Sequence, residues 1–194
     1  MDRPVGTTKI VILYGDISQQ DTEAVVNPTN SALGSNNPVD VALKRAGGLD
    51  FLKECRYHVV RHGGCAVGEA VVTGAGKLAA TYVIHAVGPN WTGGQRHEEK
   101  LLRQTYWNIL LRAEELGVTS LSIPAIGGGT PGVPAGLEAK TALTAMRDFM
   151  LKERKIKEIR FVLLSKYDAL EYEQVWEKLS YTGHEKLLEE YLYA

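Results

Sequence analysis

Cysteine is nearly absent from this chain: Cys55 and Cys65 are its two, in 194 residues, too few for a disulfide framework. No Cys/His cluster has zinc-ligand spacing, so no metal site is expected. No apolar run approaches the ~20 residues that cross a bilayer. Residues 1–10, MDRPVGTTKI, carry neither an apolar signal core nor a lipidation motif. Charge of one sign is missing too. Lys and Arg number 22 against 23 Asp and Glu, a formal net charge of −1, which gives no overall positive field for nucleic acid. The one basic run, LKERKIKEIR at 151–160, alternates its signs and is expected to be a solvated helix end. These absences lead to the expectation of an intracellular, soluble chain without membrane or direct nucleic-acid contact.

What is present is the composition of a folded domain. With 44% apolar and 23% charged residues over this length, one domain with a sizeable core is expected. β-Branched runs at 9–14 (KIVILY), 24–28 (AVVNP), 69–76 (EAVVTGAG) and 81–89 (TYVIHAVGP) predict strands, as do 121–126 and 158–165. Between them lie helical patterns. Residues 97–117 place apolar residues at 101, 102, 106, 109, 110, 113 and 116, with Gly117 past the end. Residues 39–60 form a helical stretch interrupted at Gly47-Gly48, and further helices are expected over 135–153 and 168–179. Strands alternating with helices imply a mainly parallel sheet covered on both faces, and such sheets bind ligands beyond the strands' carboxyl ends. Three loops belong there: 15–17, 27–39 and 126–134. Neither an internal repeat nor a linker divides the chain, and residues 180–194 are expected as an appended tail, helical in pattern.

Two of these loops are unusual in composition. GGGTPGVP at 127–134 offers backbone N–H groups without Cβ obstruction ahead of a helix, which suits a diphosphate better than a bare connector. It is neither a Walker A loop nor a GxGxxG fingerprint. The stretch NPTNSALGSNNPVD at 27–40 is rich in Asn and holds a single glycine, Gly34. Asn30 suits ribose hydroxyls, because an amide donates and accepts together, although in isolation it reads first as an Asx-turn. Asp16 either accepts from an exocyclic amine such as that of adenine or caps the next turn. Of the five histidines, His85 lies inside a strand and is read as a hydrogen-bonded core residue. No Ser-His-Asp or Cys-His order and no demanding carboxylate pair stands out.

Taken together, LYGDIS (13–18), EAVVNPTNS (23–31), GEAVVTGAGKL (68–78), YVIHAVGPNW (82–91) and SIPAIGGGTPGVP (122–134) resemble a macrodomain, the ADP-ribose-binding family. The likeness covers about residues 9–179, in the family's order. It implies a three-layer α/β/α fold with a central mixed, mainly parallel sheet of six or seven strands. The domain would span 9–180, with 1–8 an N-terminal extension and 181–194 the tail. Asp16 then matches the aspartate that holds the adenine amine, and Ile17 its neighbour. Asn30 matches an asparagine on the distal ribose. Leu33 to Val39 correspond to the first phosphate loop, and Gly127, Gly128, Gly129, Thr130, Gly132 and Val133 to the second. The ligand that the resemblance implies is ADP-ribose, with no cofactor and no metal.

The departures bear on activity. Hydrolytic members read GGGGVD where this chain has SNNPVD at 35–40, so Asp40 matches an aspartate implicated in hydrolysis while the neighbouring glycines are gone. Pro38 removes a donor from that loop. Pro131 replaces a loop aromatic, and the aromatic that stacks on adenine falls at Leu164 or Ser165, with Tyr167 as substitute. VVNPTN, KRAGGLDF and FVLL are similar to the macrodomain of the macro-histone variant, and HAVGPNW to those of the poly-ADP-ribose polymerases. The resemblance therefore implies first a binding module for ADP-ribose and ADP-ribosylated proteins, monomeric as an isolated domain. It would be nuclear if macro-histone-like and otherwise cytoplasmic. The alternatives are a mono-ADP-ribosyl or O-acetyl-ADP-ribose hydrolase using Asn30 and Asp40, or a degenerate fold used only for protein interaction.

Overall fold

The β-branched runs pair into one seven-stranded sheet in the order β1-β2-β7-β6-β3-β5-β4. The strands are β1 (Arg3–Val5), β2 (Thr8–Tyr14), β3 (Ala24–Pro28), β4 (Ala70–Gly74), β5 (Tyr82–Ala86), β6 (Ser120–Ile123) and β7 (Glu158–Leu163). The computed structural model describes residues 3–5, 7–127, 132–152 and 154–192, with backbone alone over 3–5 and 181–192. β2, β7, β6, β3 and β5 run parallel; β1 and β4 are antiparallel edges. The sheet is thus mixed and mainly parallel, as the sequence pattern predicts. Arg3–Val5, expected in an extension outside the domain, pair with Thr8–Ile10 as the first edge strand.

Helices cover both faces. α1 (Pro38–His62) lies on one, with the 3-10 turn Ile17–Gln19; α2 (Glu98–Leu116), α3 (Ala135–Phe149) and α4 (Lys166–Leu192) lie on the other. Each face seals its own apolar cluster. Val39, Leu43, Phe51 and Cys55 of α1 bury against Val25, Val83 and Val162; Leu102, Tyr106, Ile109, Leu110 and Ala113 of α2 bury against the opposite face with α3 and α4. α1 continues through the glycine pair but kinks at Gly48, whose φ of 69° and ψ of −160° are not helical. The tail expected as a separate element is the continuation of α4, whose backbone runs unbroken to Leu192. The described residues of the basic run at 151–160 are not a helix end: they follow α3, and 158–160 are the start of β7. There Arg154 lies over the Phe149 ring, 4.0 Å from its centre.

Candidate functional site

β3 and β6 are neighbours but pair over two residues each, Ala24 with Leu121 and Val25 with Ser122. Past that point the chain after β3 turns into α1 on one face, and the chain after β6 turns into α3 on the other. Loops that leave adjacent strands for opposite faces open a crevice at the carboxyl ends, the usual ligand position in such sheets. The 29–37 loop lies on one side of it, and residues 124–127 and 132–134 of the loop before α3 on the other. The turn after β2 stands at the same edge of the sheet, its Gly15 N–H bonded to Leu163 O at 3.0 Å. The topology therefore brings together the three loops singled out in the sequence.

Asp16 caps the 3-10 turn, Oδ1 accepting the Ser18 N–H at 2.8 Å, and remains exposed. Its second oxygen accepts no hydrogen bond among the described residues. Ile17, Leu33 and Val39 are buried in one apolar cluster beneath the loops, so they support the cleft rather than offer polar contacts. Leu33 takes φ +53°, which L-residues seldom adopt, held by its N–H to Asn30 O at 2.9 Å. Leu164 follows β7 and continues the alternation of Arg160 and Val162. That is the face of the 3-10 turn, because Arg160 reaches Gln20 at 3.3 Å and Asp21 at 2.6 Å. Leu164 is 48% exposed there, and Tyr167 on α4 is 63% exposed. The charge of Glu171 raises the Tyr167 hydroxyl above its usual range.

Asn30 is committed to its own loop. Its Oδ1 accepts from Ala32 N–H at 3.1 Å and Gly34 N–H at 3.0 Å, and its Nδ2 donates to Gly34 O at 3.2 Å. This is the Asx-turn alternative, realised twice over. A ribose at Asn30 shares the side chain with these bonds. Asn37 does the same work at the far end of the loop. It caps α1 through Asp40 N–H at 2.9 Å and ties Nδ2 to Pro28 O and Ser35 Oγ at 2.6 and 2.7 Å. Side-chain amides thus fix this loop at both ends.

Asp40 does not line the cleft. Its side chain is 0% exposed, Oδ2 ion-pairs with Lys44, and Oδ1 accepts from Asn27 Nδ2 at 2.7 Å. From Asn27 the polar chain runs inward: Nδ2 is 3.2 Å from His85 Nδ1, and His85 Nε2 is 2.8 Å from Thr73 Oγ1. The amide donates to Nδ1, so the ring proton sits on Nε2 and donates to the threonine. Burial drives the His85 pKa down to about 3, which keeps the ring neutral, and Phe51 stacks on it at 5.6 Å. The histidine is a core residue, and Asp40 joins the root of the first loop to that core. No group of three His, Cys, Asp or Glu among the described residues is placed to hold a metal ion.

The second loop begins at Gly127, with φ +88°, and its carbonyl accepts the Val133 N–H at 3.1 Å. A Cβ at 127 would lie 2.8 Å from Val133 Cγ2. Gly132 and Val133 are half-buried ahead of α3. Gly128, Gly129 and Thr130 lie outside the described residues. Behind the loop are three residues that the sequence reading missed: Tyr106, Glu138 and Tyr172, bonded to one another and, through Tyr106 and Glu138, to Ile126 N–H. A signal for them was available. Glu138 falls in the apolar stripe of α3 with Ala142, Ala145 and Phe149, a carboxylate in line with the core.

Residues 26–142, more than half of the chain, match the sequence model of the Macro domain family. The chain belongs to the macrodomain family. A macro domain-containing protein of Caldanaerobacter subterraneus subsp. tengcongensis is 42% identical over 171 residues, 88% of this chain and 97% of that protein. O-acetyl-ADP-ribose deacetylase 1 of Pantoea vagans is 39% identical over 165 residues, 85% and 95% of the two chains. Among solved structures, the Oceanobacillus iheyensis macrodomain with MES bound superposes at TM-score 0.89 and 28% identity, covering 94% of this chain and 97% of that one. The same macrodomain with ADP superposes at 0.86, with the same coverage. The three-layer fold is that of a macrodomain.

Proposed function

We propose that this macrodomain binds ADP-ribose in the crevice between the 29–37 and 124–134 loops, as a module for ADP-ribose free or carried on proteins. The convergence of Asp16, the Asn30 loop and the Gly127 loop on one switch point carries this reading. The open oxygen of Asp16 suits the adenine amine. The loop at Gly127, leading into α3, suits the diphosphate, because it combines backbone N–H groups with the positive end of a helix. The related macrodomain solved with ADP supports a nucleotide in such a cleft. Replacing Asp16 with Ala is expected to weaken ADP-ribose binding by about 1.5–3 kcal/mol, the range for a hydrogen bond to a charged group. Calorimetric titration measures it, and an unchanged affinity removes Asp16 from the site.

A second reading is hydrolysis, supported by relatives named O-acetyl-ADP-ribose deacetylase at 37–39% identity. The geometry favours binding over this, because the carboxylate of Asp40 is inside and the amide of Asn30 is engaged by its loop. Incubation with O-acetyl-ADP-ribose and with a mono-ADP-ribosylated protein separates the two. No acetate or ADP-ribose above a protein-free blank is expected; release at enzymatic rates makes the chain a hydrolase. The chromatin setting implied by the likeness to the macro-histone variant draws no support from these relatives, which are bacterial.

A further inference from the structure

Side chains of three helices meet at the root of the second loop, and two of them accept one backbone N–H. Ile126 immediately precedes Gly127, and its N–H is 3.0 Å from Tyr106 Oη and 3.2 Å from Glu138 Oε1. Glu138 Oε1 also accepts from the hydroxyls of Tyr106 and Tyr172, the latter at 3.0 Å. Tyr106 comes from α2, Glu138 from the first turn of α3 and Tyr172 from α4, and all three are buried. No ion pair to Glu138 exists among the described residues. Two effects oppose each other there. Burial favours the neutral acid, while the three donors favour the carboxylate. Burial is the larger and moves the carboxyl up to about 7, with Asp168 of α4 acting in the same direction. The other titratable groups facing it are the two tyrosines, whose own pKa values are pushed well up by burial, so they stay neutral donors.

We propose that Glu138 is a positioning residue of the second loop and takes up a proton when a diphosphate enters that loop. The role rests on the ADP-ribose reading above. Ile126 N–H leads directly into the loop, and the first turn of α3 presents its positive end to the same place. A carboxylate in that turn competes with an arriving dianion for the same field. A dianion therefore disfavours the Glu138 charge, and solvent supplies the proton. The two phosphates of ADP-ribose are each singly ionised and hold no proton near neutrality, so the uptake belongs to the protein.

The test is calorimetric titration of the full chain with ADP-ribose in pairs of buffers with different ionisation heats, from about pH 6 to about pH 8, spanning the neutral range between carboxyl and thiol groups. Net proton uptake with a maximum near neutrality is expected, with affinity several-fold stronger at the acid end. Glu138→Gln keeps an acceptor oxygen for Ile126 and should bind with no uptake and a flat pH profile. Tyr172→Phe removes a donor to the carboxylate and should move the uptake maximum to higher pH. If Glu138→Gln fails to fold, that shift decides. A merely structural role would alter affinity or melting without altering the proton count. Wild-type binding without uptake, equal uptake in Glu138→Gln, or an unmoved maximum in Tyr172→Phe overturns the proposal alone. No ADP-ribose binding by the wild type overturns the ADP-ribose reading and this role with it.

Discussion

Asp40→Ala is expected to lower folding stability by about 3 kcal/mol, the lower end of the cost of breaking a buried charge pair. The lower end applies because the Lys44 side chain keeps 22% of its surface in water, while that of Asp40 keeps none. Alanine removes the acceptor of Asn27 Nδ2 and the partner of Lys44 together. Lys44 also holds Ser35 O at 3.1 Å, so the middle of the first loop loosens with it. Asp40→Asn keeps an oxygen for Asn27 and should cost less. Urea denaturation measures both. A catalytic aspartate at the cleft would behave in the opposite way, losing activity while stability stayed within about 0.5 kcal/mol, as for changes away from buried networks. Stability of that kind in Asp40→Ala would show that its buried bonds contribute nothing.

The fate of Asp40 shows what sequence patterns carry and what they do not. Strand positions were legible because Val, Ile and Leu runs bounded by Gly and Pro have few other uses. β3 ends at Pro28, as its missing N–H requires. The pattern of α2 was legible too, since its buried residues Leu102, Tyr106, Ile109, Leu110 and Ala113 follow the helical period and Gly117 caps it in the left-handed region. Strand order placed three loops at one edge, which was enough to find the cleft. Side-chain direction was not available. Asp40 sits at the third position of α1, where a carboxylate can turn outward to a ligand or inward to Asn27, and only the packed helix decides. Asn30 has the same ambiguity between a ligand and its own loop. β1 escaped because three residues with a proline carry no strand pattern, and it pairs only because it can fold back on β2. Glu138 escaped because a lone carboxylate in an amphipathic helix is ordinarily solvated. Its tyrosine partners lie 32 and 34 residues away in the chain.

Gly64→Ala should cost about 3 kcal/mol in stability and weaken ADP-ribose binding, although residue 64 belongs to neither cleft loop. Gly64 has φ +91°, and a Cβ there would lie 2.1 Å from Ser31 O and 3.2 Å from Ser31 C. That carbonyl is the acceptor of the Cys65 N–H at 2.9 Å, the bond that braces the first loop against the end of α1. An L-residue forced to that φ costs roughly 1–3 kcal/mol, and displacing the brace strands a backbone donor at about 1–3 kcal/mol more. Backbone cannot step aside as a flexible side chain does, so Ser31 must move, and Asn30 beside it moves too. Gly63→Ala is the internal control. It shares the strained region with φ +80°, but nothing lies within 4 Å of its added carbon. It should therefore lose only about 1 kcal/mol, as for a helix-capping glycine, and leave the affinity unchanged. Denaturation and ADP-ribose titration of the pair separate strain from displacement. Equal effects of the two substitutions would mean that the contact with Ser31 does not hold the loop. Loss of affinity in Gly64→Ala alone would tie the shape of the cleft to a turn at the far end of α1.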